Sequence, residues 1–146
     1  KEITGPVDWQ ADRAARLIGT ADRIQATEEA LYVIDYKTGQ AEATNYEISG
    51  LNLEALRQNG KAPAIQLLVY GLLAWQDESL PALPVRSQIY TFRGKGAVLE
   101  LKVDKAVFEI NGETAPAVEK LLGDLIREMM DPKQALVLET SPEEDE

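Results

Sequence analysis

Leu31-Tyr32-Val33-Ile34-Asp35-Tyr36-Lys37-Thr38-Gly39 is the stretch around which the rest of the chain is organised. Leu31 to Ile34 form an apolar run suited to a strand packed on both faces, and Thr38-Gly39 signals the turn that ends it. Asp35 and Lys37 follow that run. Side chains alternate across a strand, so these two share one side of the sheet and Tyr36 faces the other. Upstream, Leu17 to Ile24 reads as a second strand, with Thr27-Glu28-Glu29 as the polar turn between the two. An antiparallel hairpin is expected. If its turn centres near Glu28 and Glu29, Asp22 falls opposite or nearly opposite Asp35, and two carboxylates converge. Like charges so placed repel, so the arrangement calls for a cation between them or a shared proton.

The 146 residues make about one domain, which buries roughly two-thirds of the surface its unfolded chain would expose. There is no cysteine, which excludes disulfides, thiolate metal sites and iron-sulfur clusters and fits a reducing compartment. There is no histidine either, which excludes Ser-His and Cys-His nucleophile pairs and imidazole-ligated metals. Chemistry is left to carboxylates, lysine, hydroxyls and amides. No apolar run approaches the roughly 20 residues of a membrane helix, and the polar start at Lys1 resembles neither a signal nor a transit peptide. A soluble, cytoplasmic chain with no membrane partner is expected. Because it begins without methionine, a piece of a longer polypeptide is also expected. The net charge of −10 counts against non-specific nucleic-acid binding by the whole surface. Half of that charge lies in Glu139 to Glu146, which holds five acids and no base. This run is expected to be a solvated, disordered tail, leaving residues 1–138 as the folded domain.

Lys1 to Arg16 reads as a loop or weak strand, with Gly5-Pro6 as a turn and Trp9 as an anchor. Gln40 to Gly60 is polar, with a short helix from Leu53 to Gln58 closed by Asn59-Gly60. Pro63 opens a helix to about Gln76, with Ile65, Leu68, Val69, Leu72 and Trp75 as its apolar stripe. Gln66 and Tyr70, four apart, meet on the flank of that stripe. Val85 to Phe92 and Ala97 to Val103 suggest a second hairpin through Arg93-Gly94-Lys95-Gly96. A final helix from Thr114 to Met130 should bury Val118, Leu121, Leu122, Leu125, Ile126 and Met129 and end at Asp131-Pro132. Leu136 to Leu138 can add an edge strand.

Two carboxylates with no histidine or cysteine nearby are hard oxygen ligands, suited to Mg²⁺ or Mn²⁺. An ion held by Asp22, Asp35 and the backbone carbonyl of Tyr36 would polarise a phosphodiester and acidify a water. Lys37 would stabilise charge or orient the nucleophile. The plain alternative is a surface ion pair between Lys37 and either carboxylate. Arg23 suits a phosphate or a neighbouring acid equally. Arg57, Lys61, Arg93 and Lys95 suit a modest basic patch or simply a solvated surface.

Three blocks carry a family resemblance: Gly19-Thr20-Ala21-Asp22-Arg23-Ile24, Val33-Ile34-Asp35-Tyr36-Lys37-Thr38-Gly39 and Gln66-Leu67-Leu68-Val69-Tyr70. In order and spacing they resemble the RecB-like branch of the PD-(D/E)XK nuclease superfamily, including AddB-like nuclease domains. That branch reads roughly G-x-x-D-R-[IV], [IV]-x-D-[YF]-K-[TS]-G and Q-[LM]-x-x-Y. The motifs span Leu17 to Tyr70, and the remainder agrees by order of elements. The resemblance implies an α/β fold, a central mixed β-sheet with helices on both sides. It implies Asp22 and Asp35 as metal ligands, Lys37 as the catalytic lysine, and Gln66 and Tyr70 as a helix pair lining the site. It also implies an Mg²⁺- or Mn²⁺-dependent exodeoxyribonuclease acting on DNA in repair and recombination, with helicase or other domains as partners. The chain departs from the family in two ways. Family members carry a further acid or histidine on a helix upstream of the first strand, where this chain offers only Glu2 and no helix. The cysteines that surround an AddB-type domain are also missing. The alternative is an inactive PD-(D/E)XK scaffold within a DNA-processing assembly.

Overall fold

The computed structural model describes residues 2–10, 13–39, 41–92 and 96–131, with the side chains of residues 9, 10 and 13–15 left out. The expected Leu136–Leu138 strand, the acidic tail, Arg93, Lys95 and the Trp9 anchor lie outside that description.

The expected central hairpin is present. Strand β4, Leu31–Lys37, pairs antiparallel with β3, Arg23–Ala26, and the register Arg23↔Ile34 to Ala26↔Leu31 centres its turn between Glu28 and Glu29. Thr27 closes this turn. Its hydroxyl accepts from the N–H groups of Glu29 and Ala30, and its own N–H donates to the Ala30 carbonyl at 2.9 Å.

The reading of Leu17 to Ile24 as one strand is corrected. The chain breaks at Ala21-Asp22: β2, Arg13–Thr20, belongs to another sheet, where it pairs with β1, Glu2–Gln10. Residues that read as a loop or weak strand therefore form a long hairpin. Gly5-Pro6 is not its turn. Ile3, Gly5 and Val7 alternate inward and Glu2, Pro6 and Asp8 outward, which is the period-2 pattern of a half-buried strand. Proline is tolerated because, among the described residues, β1 pairs on one side only.

A short 3-10 helix, Ala43–Tyr46, follows β4, then strand β5, Glu47–Ile48, and helix α1, Leu53–Arg57. The Asn52 side chain caps α1 by accepting from the Ala55 N–H at 2.8 Å. Helix α2, Ala62–Gln76, starts with Pro63 in its first turn and leads to β6, Val85–Thr91. Strands β4 and β6 are parallel, Leu31↔Val85 to Lys37↔Thr91, and α2 lies in the crossover that such pairing requires.

Helix α2 is packed on two sides. Against β6, the Ser87 hydroxyl donates to the Leu67 carbonyl at 2.9 Å, and a Cβ on Gly71 would sit 2.9 Å from Ser87 Oγ and 2.7 Å from Ile110 Cδ1. On its other side lies the β1–β2 hairpin, where a Cβ on Gly19 would meet the Tyr70 ring at 2.7 Å. The buried set is thus Ala64, Leu67, Leu68, Gly71, Leu72, Leu73 and Ala74, and the expected stripe residues Ile65, Val69 and Trp75 are only partly buried. A helix that is apolar all round is one enclosed on more than one side.

The run Ala97 to Val103 also divides. Strand β7, Ala97–Glu100, pairs with β6 as the expected hairpin, Leu101 is buried, and β8, Lys102–Val103, joins a separate sheet with β5 and β9, Ala106–Val107. Asp104 and Lys105 link β8 to β9 with φ of 52° and 69°, the left-handed pair that a two-residue hairpin demands. Strand β10, Glu109–Ile110, completes the mixed sheet, whose order is β10-β6-β4-β3 with β7 also on β6. Helix α3, Ala115–Met130, packs on β1 and α2 through Val118, Leu121 and Leu122, while Met129 is half exposed rather than buried. Of the described helices, α2 contacts the mixed sheet, on the face carrying Val33, Ser87 and Ile89. The expected α/β fold, a central mixed sheet flanked by helices, is present. No described helix is long and apolar enough to cross a membrane.

Candidate active site

The break between β2 and β3 makes the site. Extending the β3–β4 register by one residue places Asp22 beside Asp35, but Asp22 is outside the ladder and, though exposed, turns its carboxylate to the edge of β4. Its Oδ2 accepts from the Tyr36 N–H at 2.8 Å, where a continuing β3 would have supplied a backbone carbonyl. In β4 the amide groups alternate in direction. Leu31 N–H and Lys37 C=O engage the β6 side, so those of Tyr36 face the β3 side, and its carbonyl points to the same edge as Asp22.

Asp35 is 9% exposed, and its side chain shares a hydrogen bond with Asp22. Lys37, two residues on and on the same face, places Nζ 2.9 Å from Asp35 Oδ2. Burial and then the Asp22 carboxyl push Asp35 above the usual carboxylate range, against the pull of Lys37. Asp22 is held below it by the hydrogen bond from Asp35 and by the Tyr36 N–H. The opposed shifts are those of a coupled acid pair, whose mutual repulsion a bound cation would relieve. The Asp35 contact raises Lys37, which stays an ammonium.

On α2, Gln66 Nε2 donates to the Tyr70 hydroxyl at 3.0 Å, which leaves the Tyr70 O–H to donate. Lys37 feels the Tyr70 phenol and also that of Tyr46, a residue with no counterpart in the sequence reading. Tyr46 ends the 3-10 helix, is 4% exposed, and has its hydroxyl pushed up by burial. The only signal for it was a lone aromatic in a polar stretch.

The structure thus brings together Asp22, Asp35, the Tyr36 carbonyl edge and Lys37, with Gln66 and Tyr70 paired on the adjoining helix. It does not bring Glu2 in. Glu2 lies opposite Thr20 on the outward side of β1, because Ile3 and Val7 point inward, and no group of three acids gathers among the described residues. Arg57 is not a free basic residue, since it forms a two-pronged pair with Glu128 at 2.7 and 3.0 Å. Lys61 donates to the Thr44 carbonyl at 2.6 Å, and Arg23 is exposed.

Fold and site together define a mixed α/β domain with an acid pair and a lysine at the end of a central strand. The chain belongs to the PD-(D/E)XK nuclease superfamily, whose family profile matches residues 2–143. Searches of curated proteins and of solved structures returned no significant match.

Proposed function

We propose that this domain is a nuclease that hydrolyses DNA phosphodiester bonds with a divalent metal, as a cytoplasmic exonuclease of the RecB-like kind. Its setting is repair or recombination, beside helicase or other domains of a larger assembly. The observation that carries this reading is the convergence of Asp22 and Asp35, with the Tyr36 carbonyl and Lys37, on the one edge where β3 stops pairing.

The donor set fits Mg²⁺ or Mn²⁺. Two carboxylates and one backbone carbonyl are hard oxygen ligands, and Mg²⁺ commonly leaves its remaining positions to water and phosphate. Bound there, the ion supplies positive charge to the phosphodiester and lowers the pKa of an attacking water. The chain does the rest. Asp22 is fixed by the Tyr36 amide, and Asp35 by the strand that carries it, so neither needs to reorganise. Lys37 stays protonated and offers its ammonium to the charge that builds on the phosphoryl oxygens. Gln66 orients the Tyr70 hydroxyl as a donor on the same side. An acidic chain binding an anionic polymer depends strongly on that cation, so activity should fall steeply with added salt.

One observation favours the alternative of an inactive scaffold: no third acid joins the pair among the described residues. Calorimetric titration with Mn²⁺ of the wild type, Asp22→Ala and Asp35→Ala, followed by cleavage of single- and double-stranded DNA, separates the two. Binding lost in both variants together with cleavage supports the nuclease. No binding at millimolar Mn²⁺ leaves the scaffold.

A further inference from the structure

Tyr36 points away from the acid pair, and the mixed sheet surface it enters is unlike the one beneath α2. Its ring lies 6.0 Å from that of Tyr90 and 5.6 Å from that of Phe92, both tilted by 50°. Phe92 is 62% exposed and Val98, opposite Tyr90 on β7, 55%. Among the described helices, the main contact with the mixed sheet is that of α2, on the opposite face. Among the described residues, Glu100 on this face lies opposite Gln88, which engages it at 2.7 Å, and Glu109 lies at the far end, engaged by Arg86 at 3.1 Å. The aromatic end thus presents exposed apolar surface, and Glu100, one rung from the Tyr90–Val98 pair, is already hydrogen-bonded, in a chain of net charge −10.

It also adjoins the site. The Phe92 N–H donates to the Lys37 carbonyl at 3.2 Å, so the ring follows directly on the lysine strand. Among the described residues, the end of β4 lies between the two faces, where Thr38 and Gly39 are exposed and a Cβ on Gly39 would meet nothing within 4 Å. Among the described residues, the exposed Thr38-Gly39 backbone leads from Asp22 and Asp35 to the rings. Exposed aromatic rings beside a backbone-binding edge are what sequence-tolerant single-strand sites use, since every base has a face to stack.

We propose that Tyr36, Tyr90 and Phe92 form a stacking platform for the bases of a single DNA strand that crosses Thr38-Gly39 from the acid pair. The proposal rests on the nuclease reading. The test compares the full chain with Phe92→Ala, Phe92→Leu and Phe92→Trp. Binding is measured in Ca²⁺ to a labelled oligothymidylate of about twelve residues and to an abasic strand of the same length, a size within the range of such sites. Phe92→Ala and Phe92→Leu should each weaken thymidylate binding about tenfold, leave abasic binding unchanged, and be rescued by Phe92→Trp. Equal weakening on both strands, no weakening on either, or no wild-type binding to single strands overturns the platform. So does a wild-type dimer that Phe92→Ala dissociates with thymidylate binding intact, because the face then serves a second copy. Mn²⁺ titration of the same proteins reads the acid pair separately, so failure of the platform leaves the nuclease reading standing, and loss of Mn²⁺ binding in the wild type removes that reading itself.

Discussion

Asp22 and Asp35 are the same residue type hydrogen-bonded to each other, yet their surroundings pull them in opposite directions. Asp22 sits at a strand break, exposed, with a backbone N–H aimed at it, and its charge is favoured. Asp35 sits inside β4 at 9% exposure, and its charge is disfavoured first by burial and then by its neighbour. Ionisation is favoured at one acid and opposed at the other. The difference comes from the backbone: a strand that stops at Asp22 and a strand that continues through Asp35.

The largest effect expected from this asymmetry is on metal binding. Asp35→Ala should lower Mn²⁺ affinity by more than about 100-fold, the upper end of what loss of a merely supporting group costs, and abolish cleavage. Asp22→Ala should lower both as well, but by less, because Asp35 and the Tyr36 carbonyl remain. Equal Mn²⁺ affinity in wild type and Asp35→Ala, read by calorimetry, would break the comparison.

Lys37→Met separates binding from chemistry. The ammonium is 2.9 Å from Asp35 and competes with a metal for the same carboxylate. Its removal should leave Mn²⁺ affinity unchanged or higher while single-turnover cleavage falls by about 10²–10³, the scale of one lost charge-stabilising donor. A matched fall in both would assign Lys37 to holding Asp35 rather than to the reaction.

Much of this corner was legible in the sequence because the rules that fix it are local. The period-2 alternation of Leu31–Lys37 and a polar turn at Glu28-Glu29 suffice to pair Asp22 with Asp35. Gln66 and Tyr70 needed only the helical i,i+4 spacing. What stayed hidden depends on contacts between distant segments. Ile3, Gly5 and Val7 alternate, but Gly5-Pro6 reads locally as a turn, and only packing against α2 and α3 makes it a strand. The β8–β9 turn uses Asp104-Lys105 where Asn-Gly would have announced it. Tyr46 comes near Lys37 only because the polar stretch after β4 folds back over the site face. Helix α2 shows no single stripe because it is covered on two sides.

Gly19 ties one such distant contact to the acid pair. The Tyr70 ring occupies the space a Cβ would need, so Gly19→Ala overpacks the hairpin against α2 and should cost about 1–3 kcal/mol in chemical denaturation. It acts three residues before Asp22 and on the helix pair, not on β4. Mn²⁺ affinity should therefore fall less than in either aspartate variant. A fall as large as that of Asp35→Ala would mean that the break after β2, rather than β4, sets the geometry of the pair.

The smallest effect is the one most specific to the asymmetry. A group whose folded pKa is raised adds stability that is complete below its unfolded pKa and is lost as pH rises through the folded one, which is the case of Asp35. Asp22, depressed, does the reverse: its contribution is present above the unfolded pKa and is lost as pH falls through the folded one. In metal-free protein, Asp35→Asn removes the cost of ionising a buried acid, so its thermal midpoint at pH 7 should exceed that of the wild type by a few degrees at most. The gap should close as pH falls into the ordinary carboxylate range, where Asp35 is protonated in both states. Added Mn²⁺ should reverse the order, because only the wild type gains from ligand binding. A variant that is more stable without metal and less stable with it marks Asp35 as a residue kept at the expense of the fold, whereas lower stability under both conditions would make its carboxylate a structural partner of Lys37 and nothing more.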